Sequence, residues 1–227
     1  MEETTIDIMA DLNPDKTFLD EKEISKSRQY EFIKRAFDVI SSSCACIILS
    51  PLFILTALAV FIEDRHNPIF SQIRVGKDGR LFKMYKFRSM YIGAEMRLKK
   101  LLEQNELDGK AFKMAKDPRI TKVGRIIRKL SIDELPQLWN IIKGDMSIVG
   151  PRPALGHEVY YYNDFEMQRL KVHPGLTCYW QCSGRNNIGF DEWMELDVKY
   201  IKERSLWTDL KIIFKTIPAV LMSRGAE

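Results

Sequence analysis

From Val39 to Ile62 the chain runs through 24 consecutive positions without a charged side chain. At about 1.5 Å per residue a helix of that length reaches about 36 Å, enough to cross a bilayer. Ser50 and Pro51 fall at its middle, where proline removes a backbone donor and bends or breaks a helix. Two topologies follow: one kinked span, or a helix-break-helix that dips into the membrane and returns. Further on, residues 69–91 alternate apolar and polar positions, punctuated by Gly76 and the turn pair Asp78-Gly79, which predicts a β-hairpin. Its second strand, LFKMYKFRSM, would set Phe82, Met84, Lys86 and Arg88 on one face and two cations side by side. Helical periodicity follows at 94–107 (Met96, Leu98, Leu101, Leu102) and at 123–130 (Val123, Ile126, Ile127, Leu130), with Arg125 and Arg128 spaced to face one anion. A helix is expected over 191–203. Another over 206–222 carries a stripe of Trp207, Leu210, Ile213, Phe214, Ile217 and Leu221, suited either to a membrane surface or to packing on the rest of the domain.

Charge sharpens this outline. Residues 1–30 are polar, broken at Asn13-Pro14, and lack the basic start and apolar core of a signal peptide, so they read as a loosely ordered tail. By contrast, residues 65–100 hold ten Lys or Arg directly after the apolar run, a juxtamembrane basic block. Lys34 and Arg35 precede that run, and Arg74, Lys77, Arg80 and Lys83 follow it, so both flanks suit the anionic inner face. Glu63 and Asp64 weaken the second flank and proline is tolerated in spanning helices, so both topologies stay open on pattern alone. With 227 residues, 45% hydrophobic and 29% charged, the chain can hold one folded domain, and a formal charge of +4 is too mild for a nucleic-acid binder. Cys44 and Cys46 lie in the apolar run, far from Cys178 and Cys182, which is no disulfide framework. His66, His157 and His173 cluster with neither pair, so no zinc-ligand spacing is present.

Chemistry concentrates in SIDELPQLWNIIKGDMSIVGPRP, residues 131–153. Ser131 and Glu134 fit a capping box at a helix that ends at Gly144, while Asp133 as N-cap with Pro136 in the first turn fits nearly as well. The functional reading of the adjacent Asp133 and Glu134 places them near Lys86, Arg88, Arg128 and Arg152, as a site for a metal-bridged diphosphate. Carboxylates supply hard oxygen ligands for Mg2+. An Asp can also attack phosphorus while cations neutralise the phosphoryl oxygens. In Pro151-Arg152-Pro153 the flanking prolines restrict the backbone around a side chain suited to forked phosphate contacts, although an extended exit from a strand reads the same way. Gly184-Arg185-Asn186-Asn187 adds one more cation beside polar groups. Neither a P-loop nor a G-x-G-x-x-G cradle occurs, which leaves phosphate binding to arginines.

KRAFD at 34–38, the Ser50-Pro51 break, FSQIRVGKDG, KMYKFRSM, DPRITKVGRIIR, SIDELPQLWNIIKGDMSIVGPRP and QCSGRN together resemble the bacterial sugar transferases, the monotopic phosphoglycosyl transferases, over roughly residues 32–225. The resemblance implies an α+β fold: a mostly helical cytoplasmic domain, residues 63–227, with a small β-hairpin or sheet. It also implies anchoring by a re-entrant membrane helix, residues 31–62, broken at Ser50-Pro51, and by an amphipathic C-terminal helix. The acidic tail lies outside the shared core. By the same resemblance Asp133 would be the nucleophile toward a UDP-sugar, Glu134 (with Asp133) would hold Mg2+, and Arg152 would position phosphate. Lys86, Arg88, Arg128 and Arg185 would contact substrate anions. The acceptor would be a polyprenyl phosphate in the inner leaflet of a bacterial cell membrane, with UMP released and the catalytic domain on the cytoplasmic face. No nucleic-acid partner is expected, and the transferred sugar, the pathway and a homo-oligomeric state stay open. Two other readings compete: a noncatalytic membrane adaptor for glycan-assembly enzymes, and a metal-dependent membrane phosphohydrolase.

Overall fold

The computed structural model describes Leu19 and residues 24–94, 96, 117–182 and 189–221. It is mostly helical, with two small two-stranded sheets, an α+β arrangement. Helix α1 (Arg28–Ile48) starts where the Ser27 side chain accepts a hydrogen bond from the Tyr30 amide, and α2 (Ser50–Asp64) follows after Leu49 alone. The two axes bend by 63°. Pro51 explains the break: it has no N–H for the carbonyl one turn back, and its ring crowds that carbonyl. No single described helix is long and apolar enough to cross a membrane, but the bent pair together is.

Strand β1 (Ile69–Val75) pairs antiparallel with β2 (Leu81–Phe87), Ile69 opposite Phe87 and Val75 opposite Leu81. Between them the chain reverses through Gly76–Arg80, where Asp78 (φ 54°) and Gly79 (φ 78°) take the left-handed conformation for which Asp-Gly is suited. The expected hairpin and its turn are therefore present. Beyond it come α3 (Lys122–Lys129), α4 (Gln137–Lys143), β3 (Ser147–Val149), β4 (Gly175–Thr177), α5 (Phe190–Glu203) and α6 (Leu206–Leu221). Strands β3 and β4 are parallel, Ser147 opposite Gly175 and Val149 opposite Thr177. The expected helix at 94–107 lies mostly outside the described residues.

Met84 of β2 packs with Leu138, Ile141 and Met146, which seats the hairpin on α4. Phe87, pointing the other way, packs with Val60 of α2 and Ile127 of α3, and its ring meets Phe53 edge-on at 5.6 Å. Asn140, wholly buried, fixes the hairpin to α4 with polar bonds: its Oδ1 accepts from the Tyr85 amide (3.0 Å) and its Nδ2 donates to the Lys83 carbonyl (2.7 Å). A third cluster, built on Val149, Val198, Tyr200, Ile201 and Ile212, joins α5 and α6 to β3, and Leu19 is buried within it.

Both ends of the bent pair are bonded to this helical body. Lys34 pairs with Asp209 of α6 at 2.8 Å and also donates to the Val149 carbonyl. Arg35 donates to the last carbonyls of α4, at Ile141 (2.6 Å) and Ile142 (2.9 Å), where a cation is favoured by the helix dipole. Asp38, buried, accepts from Ser147 Oγ (2.7 Å) and the Ile148 amide (3.1 Å). At the far end, the Glu63 carboxylate accepts from the Lys122 and Val123 amides (2.7 and 2.9 Å), the free donors at the start of α3. Between these fastenings Ile47, Ile48, Ile54 and Leu55 stand exposed, Ile47 and Ile48 at 74%.

Helix α6 divides the expected stripe. Ile212 and Asp209 are buried and Ile213 packs on the core, whereas Trp207, Phe214 and Ile217 are exposed.

Candidate functional site

The acidic pair does not lie where local pattern placed it. Ser131 has φ 54° and caps nothing with its side chain; Ile132–Glu134 form a single 3-10 turn, and α4 begins after Pro136. The capping box expected from Ser131 and Glu134 is absent because both of its parts are used elsewhere: the Ser131 amide donates to the Arg128 carbonyl (3.0 Å), and Glu134 reaches across to Lys86. Asp133 is not the N-cap either. The expected end at Gly144 holds, with φ 96°.

Lys86 Nζ meets Glu134 Oε1 at 2.8 Å, with both side chains only about one-fifth exposed. They line a shallow, open pocket together with Arg74, Gln137, Arg152 and Gln181. Its charged lining is three cations against one carboxylate, so the pocket is suited to anions. Beside it Asp133 is buried, 9% exposed. Burial pushes its carboxyl up to about 6; Lys86 opposes the shift, Glu134 adds to it, and Arg128 opposes it. A carboxylate held this way is weakly solvated and titrates nearer neutrality than a free aspartate, a perturbation of the kind found at functional sites.

Of the sequence-predicted residues, the fold thus gathers Lys86, Glu134 and Arg152 on one pocket, with Asp133 adjacent and Arg128 within electrostatic reach of it. Arg88 is placed differently. It follows the last residue of β2, its Nε donates to the Asn67 carbonyl (2.8 Å), and its guanidinium lies 6.0 Å from the Phe70 ring centre, at the open end of the hairpin. It does not line the pocket, because alternation holds only while the strand does. Arg185 lies outside the described residues.

Arg74 was missed by the sequence reading, in which it counted only as a flank charge. It is buried in the pocket wall, where it donates to the Pro153 carbonyl (3.0 Å) and to Gln72 Oε1 (2.8 Å). Burial first, and the nearby Arg152 charge next, bring its pKa down to about 10. Two guanidiniums this close, with Glu134 and Glu158 as partial compensation, make a place where an added anion is stabilising.

Asp133 and Glu134, on one turn, are the residues that would offer oxygen ligands to a Mg2+ ion. That ion keeps several waters and is bound through one or two carboxylates plus substrate phosphates. Two carboxylates on one turn, beside an anion-accepting pocket, fit such partial ligation. Among the described residues no group of three or more acidic, His or Cys side chains forms a complete protein cage, which Mg2+ does not need.

Known proteins resemble this chain over most of its length. The family model described as bacterial sugar transferase matches residues 29–223. The chain is 51% identical over 182 residues to the galactosyl transferase CpsE of Streptococcus agalactiae serotype III, covering 78% of this chain and 40% of that protein. It is 45% identical over 203 residues to the undecaprenyl-phosphate galactose phosphotransferase of Salmonella typhimurium, covering 88% of this chain and 42% of that one. To the exopolysaccharide production protein ExoY of Rhizobium meliloti it is 43% identical over 197 residues, 85% of this chain and 87% of its relative. The chain therefore spans about two-fifths of the first two relatives and most of the third. With the matched region running from the start of α1 to beyond α6, and the acidic turn and its pocket inside it, the chain belongs to the bacterial sugar transferase family.

Proposed function

We propose that this protein moves a sugar 1-phosphate from a UDP-sugar to a polyprenyl phosphate at the cytoplasmic face of a bacterial membrane, through a covalent intermediate on Asp133. The observation that carries this reading is the meeting of a buried, proton-poised Asp133 with a pocket bearing Arg74, Lys86 and Arg152. The names of two relatives, an undecaprenyl-phosphate galactose phosphotransferase and an undecaprenyl-phosphate glucose phosphotransferase from Komagataeibacter xylinus, support the same reaction class.

In the first half-reaction an Asp133 carboxylate oxygen attacks the phosphorus that carries the sugar. The bond from that phosphorus to the bridging oxygen breaks, and UMP leaves with the electron pair. In the second, a phosphate oxygen of the polyprenyl phosphate attacks the same phosphorus, and the bond to Asp133 breaks to regenerate the carboxylate. Lys86, Arg152 and Arg74 hold the donor phosphates and absorb the charge that builds on their oxygens. Glu134, with Asp133, would hold a Mg2+ ion, which supplies further charge neutralisation when bound. The Lys86–Glu134 pair keeps both side chains aimed at the pocket before substrate arrives.

Membrane placement rests on the bent helix pair. Lys34, Arg35 and Asp38 fasten its start, and Glu63 its end, to one helical body. A single folded body cannot occupy both sides of a bilayer, so the exposed apolar bend enters and leaves on one side. This re-entrant topology brings the pocket to the level of lipid headgroups, where a polyprenyl phosphate presents its phosphate. Exposed Trp207, Phe214 and Ile217 on α6 suit the same interface.

The test is mass spectrometry of the intact purified protein after incubation with a panel of UDP-sugars and no lipid acceptor. Added mass equal to a sugar phosphate, located on Asp133 and removed by undecaprenyl phosphate, is expected. UMP release with normal turnover by Asp133→Asn would overturn the assignment.

A further inference from the structure

Arg169 lies in none of the motifs discussed above. It is 2% exposed, paired at 2.8 Å with Asp197 of α5, itself 1% exposed. Its Nη1 donates to the Tyr162 hydroxyl (2.6 Å) and its Nη2 to the Arg152 carbonyl (2.9 Å). Its guanidinium also lies 4.9 Å from the centre of the Trp193 ring. Trp193 stacks on Trp180 at 5.2 Å and 29°, and Trp180 in turn lies 5.4 Å beneath the guanidinium of Arg152. The contacts close on themselves: Arg169 touches Trp193, Trp193 touches Trp180, Trp180 carries the Arg152 side chain, and Arg169 holds the Arg152 backbone.

The neighbouring peptide groups are held as well. The Pro151 carbonyl accepts from the Gly175 amide (2.8 Å), and the Pro153 carbonyl from Arg74 (3.0 Å). Three consecutive carbonyls around the pocket arginine are thus each bound by a donor from a different part of the chain. Two prolines restrict φ in this segment, but they fix neither the height of Arg152 above the pocket nor the direction of its side chain. The ring of contacts supplies both.

We infer that Arg169 is a positioning residue for Arg152: it fixes the backbone of the phosphate-binding arginine directly and its guanidinium through the Trp193–Trp180 stack, with Asp197 holding Arg169 in place. This rests on Arg152 contacting donor phosphate, as proposed above. A buried ion pair of this kind also shapes the core, so a role through Arg152 must be separated from a role in stability. Lysine at 169 keeps the charge but lacks the fork needed to reach Asp197, Tyr162 and the Arg152 carbonyl together.

The experiment is a double-mutant cycle in the purified, detergent-solubilised protein. It measures kcat/KM for the donor at saturating polyprenyl phosphate, together with the melting temperature of each variant. Arg169→Lys is expected to lower kcat/KM by about 30-fold, within the range for small misplacements of a binding group. On the Arg152→Ala background the same change should lower it by less than about twofold, since residues in one network are not additive. Losses that multiply in full would overturn the positioning role while leaving the transferase reading intact. Wild-type turnover by Arg152→Ala would instead sink the premise that Arg152 binds the donor, and this inference with it. Should Arg169→Lys melt below the assay temperature, Trp180 decides: Trp180→Phe, which keeps an aromatic face, is expected to stay within about threefold of wild type, and Trp180→Leu to fall about tenfold. Equal activity of these two variants would overturn the inference.

Discussion

At the level of single residues, the burial that would poise Asp133 for the proposed reaction carries a stability cost. Burial raises its pKa to about 6 in the folded chain, against about 3.9 for an unfolded aspartate. The folded state therefore holds the proton more tightly, and its stability falls as pH rises from about 4 through about 6, after which the full cost is present. With divalent metal chelated, Asp133→Asn is expected to be inactive yet more stable at pH 7.5, by up to about 2 kcal/mol in denaturant titration. A less stable variant would contradict this account. In the mechanism proposed above the same group would set a pH limit on the first half-reaction, whose rate should fall by half near pH 6 in rapid-quench measurements, because only the carboxylate form of Asp133 could attack. Lys86 is the strongest influence holding the Asp133 pKa down, so in Lys86→Gln the acidic limb should move to higher pH. A limb that stays or moves lower would remove Lys86 from the electrostatics of Asp133.

Among the elements, the sequence read best where local chemistry decides structure. The Asp-Gly turn, the Gly144 terminus and the periodicity of α3, α5 and α6 need no distant partner to be recognised. The 3-10 turn at Ile132–Glu134 was misread because Lys86, 48 positions away, takes the Glu134 carboxylate that a capping box requires. KRAFD was legible only as a resemblance. Its polar residues look like the wet side of an amphipathic helix, while their partners lie more than a hundred positions downstream: Asp209 for Lys34, and Ser147 for Asp38. Arg169 and Asp197 were silent for the same reason, since a pair that is almost fully buried has the composition of two ordinary surface charges. The structural weight of KRAFD can be measured. Lys34→Met leaves Asp209 buried with Tyr200 but without its cation, at a cost of about 3 kcal/mol. Lys26→Met, which loses one exposed bond to the Lys202 carbonyl, should cost less than about 0.5 kcal/mol. Equal melting temperatures for the two variants would argue against α1 being fastened through Lys34.

For the molecule as a whole, the apolar run read from sequence as either a span or a dip, and pattern could not choose because Glu63 and Asp64 weaken the second basic flank and proline is tolerated in spanning helices. Glu63, which looked like a weakened flank, binds the start of α3, and this long-range bond supports the re-entrant topology proposed above. In a background without native cysteines, new cysteines at position 29, at the exposed start of α1, and at position 160, exposed on the helical body, should react alike with an impermeant maleimide: protected in sealed cells, labelled in inverted vesicles. Opposite labelling would restore a single span. The bent pair also carries a consequence for the lipid environment. In the re-entrant topology proposed above, a pair pinned at both ends to a body on one side would have its depth set by the protein and be confined to one leaflet. The mismatch forces that tilt or sort spanning helices in thick and thin bilayers would then have no second end to act on. Such an enzyme should respond to the headgroups and packing of the leaflet it occupies and stay indifferent to total bilayer thickness.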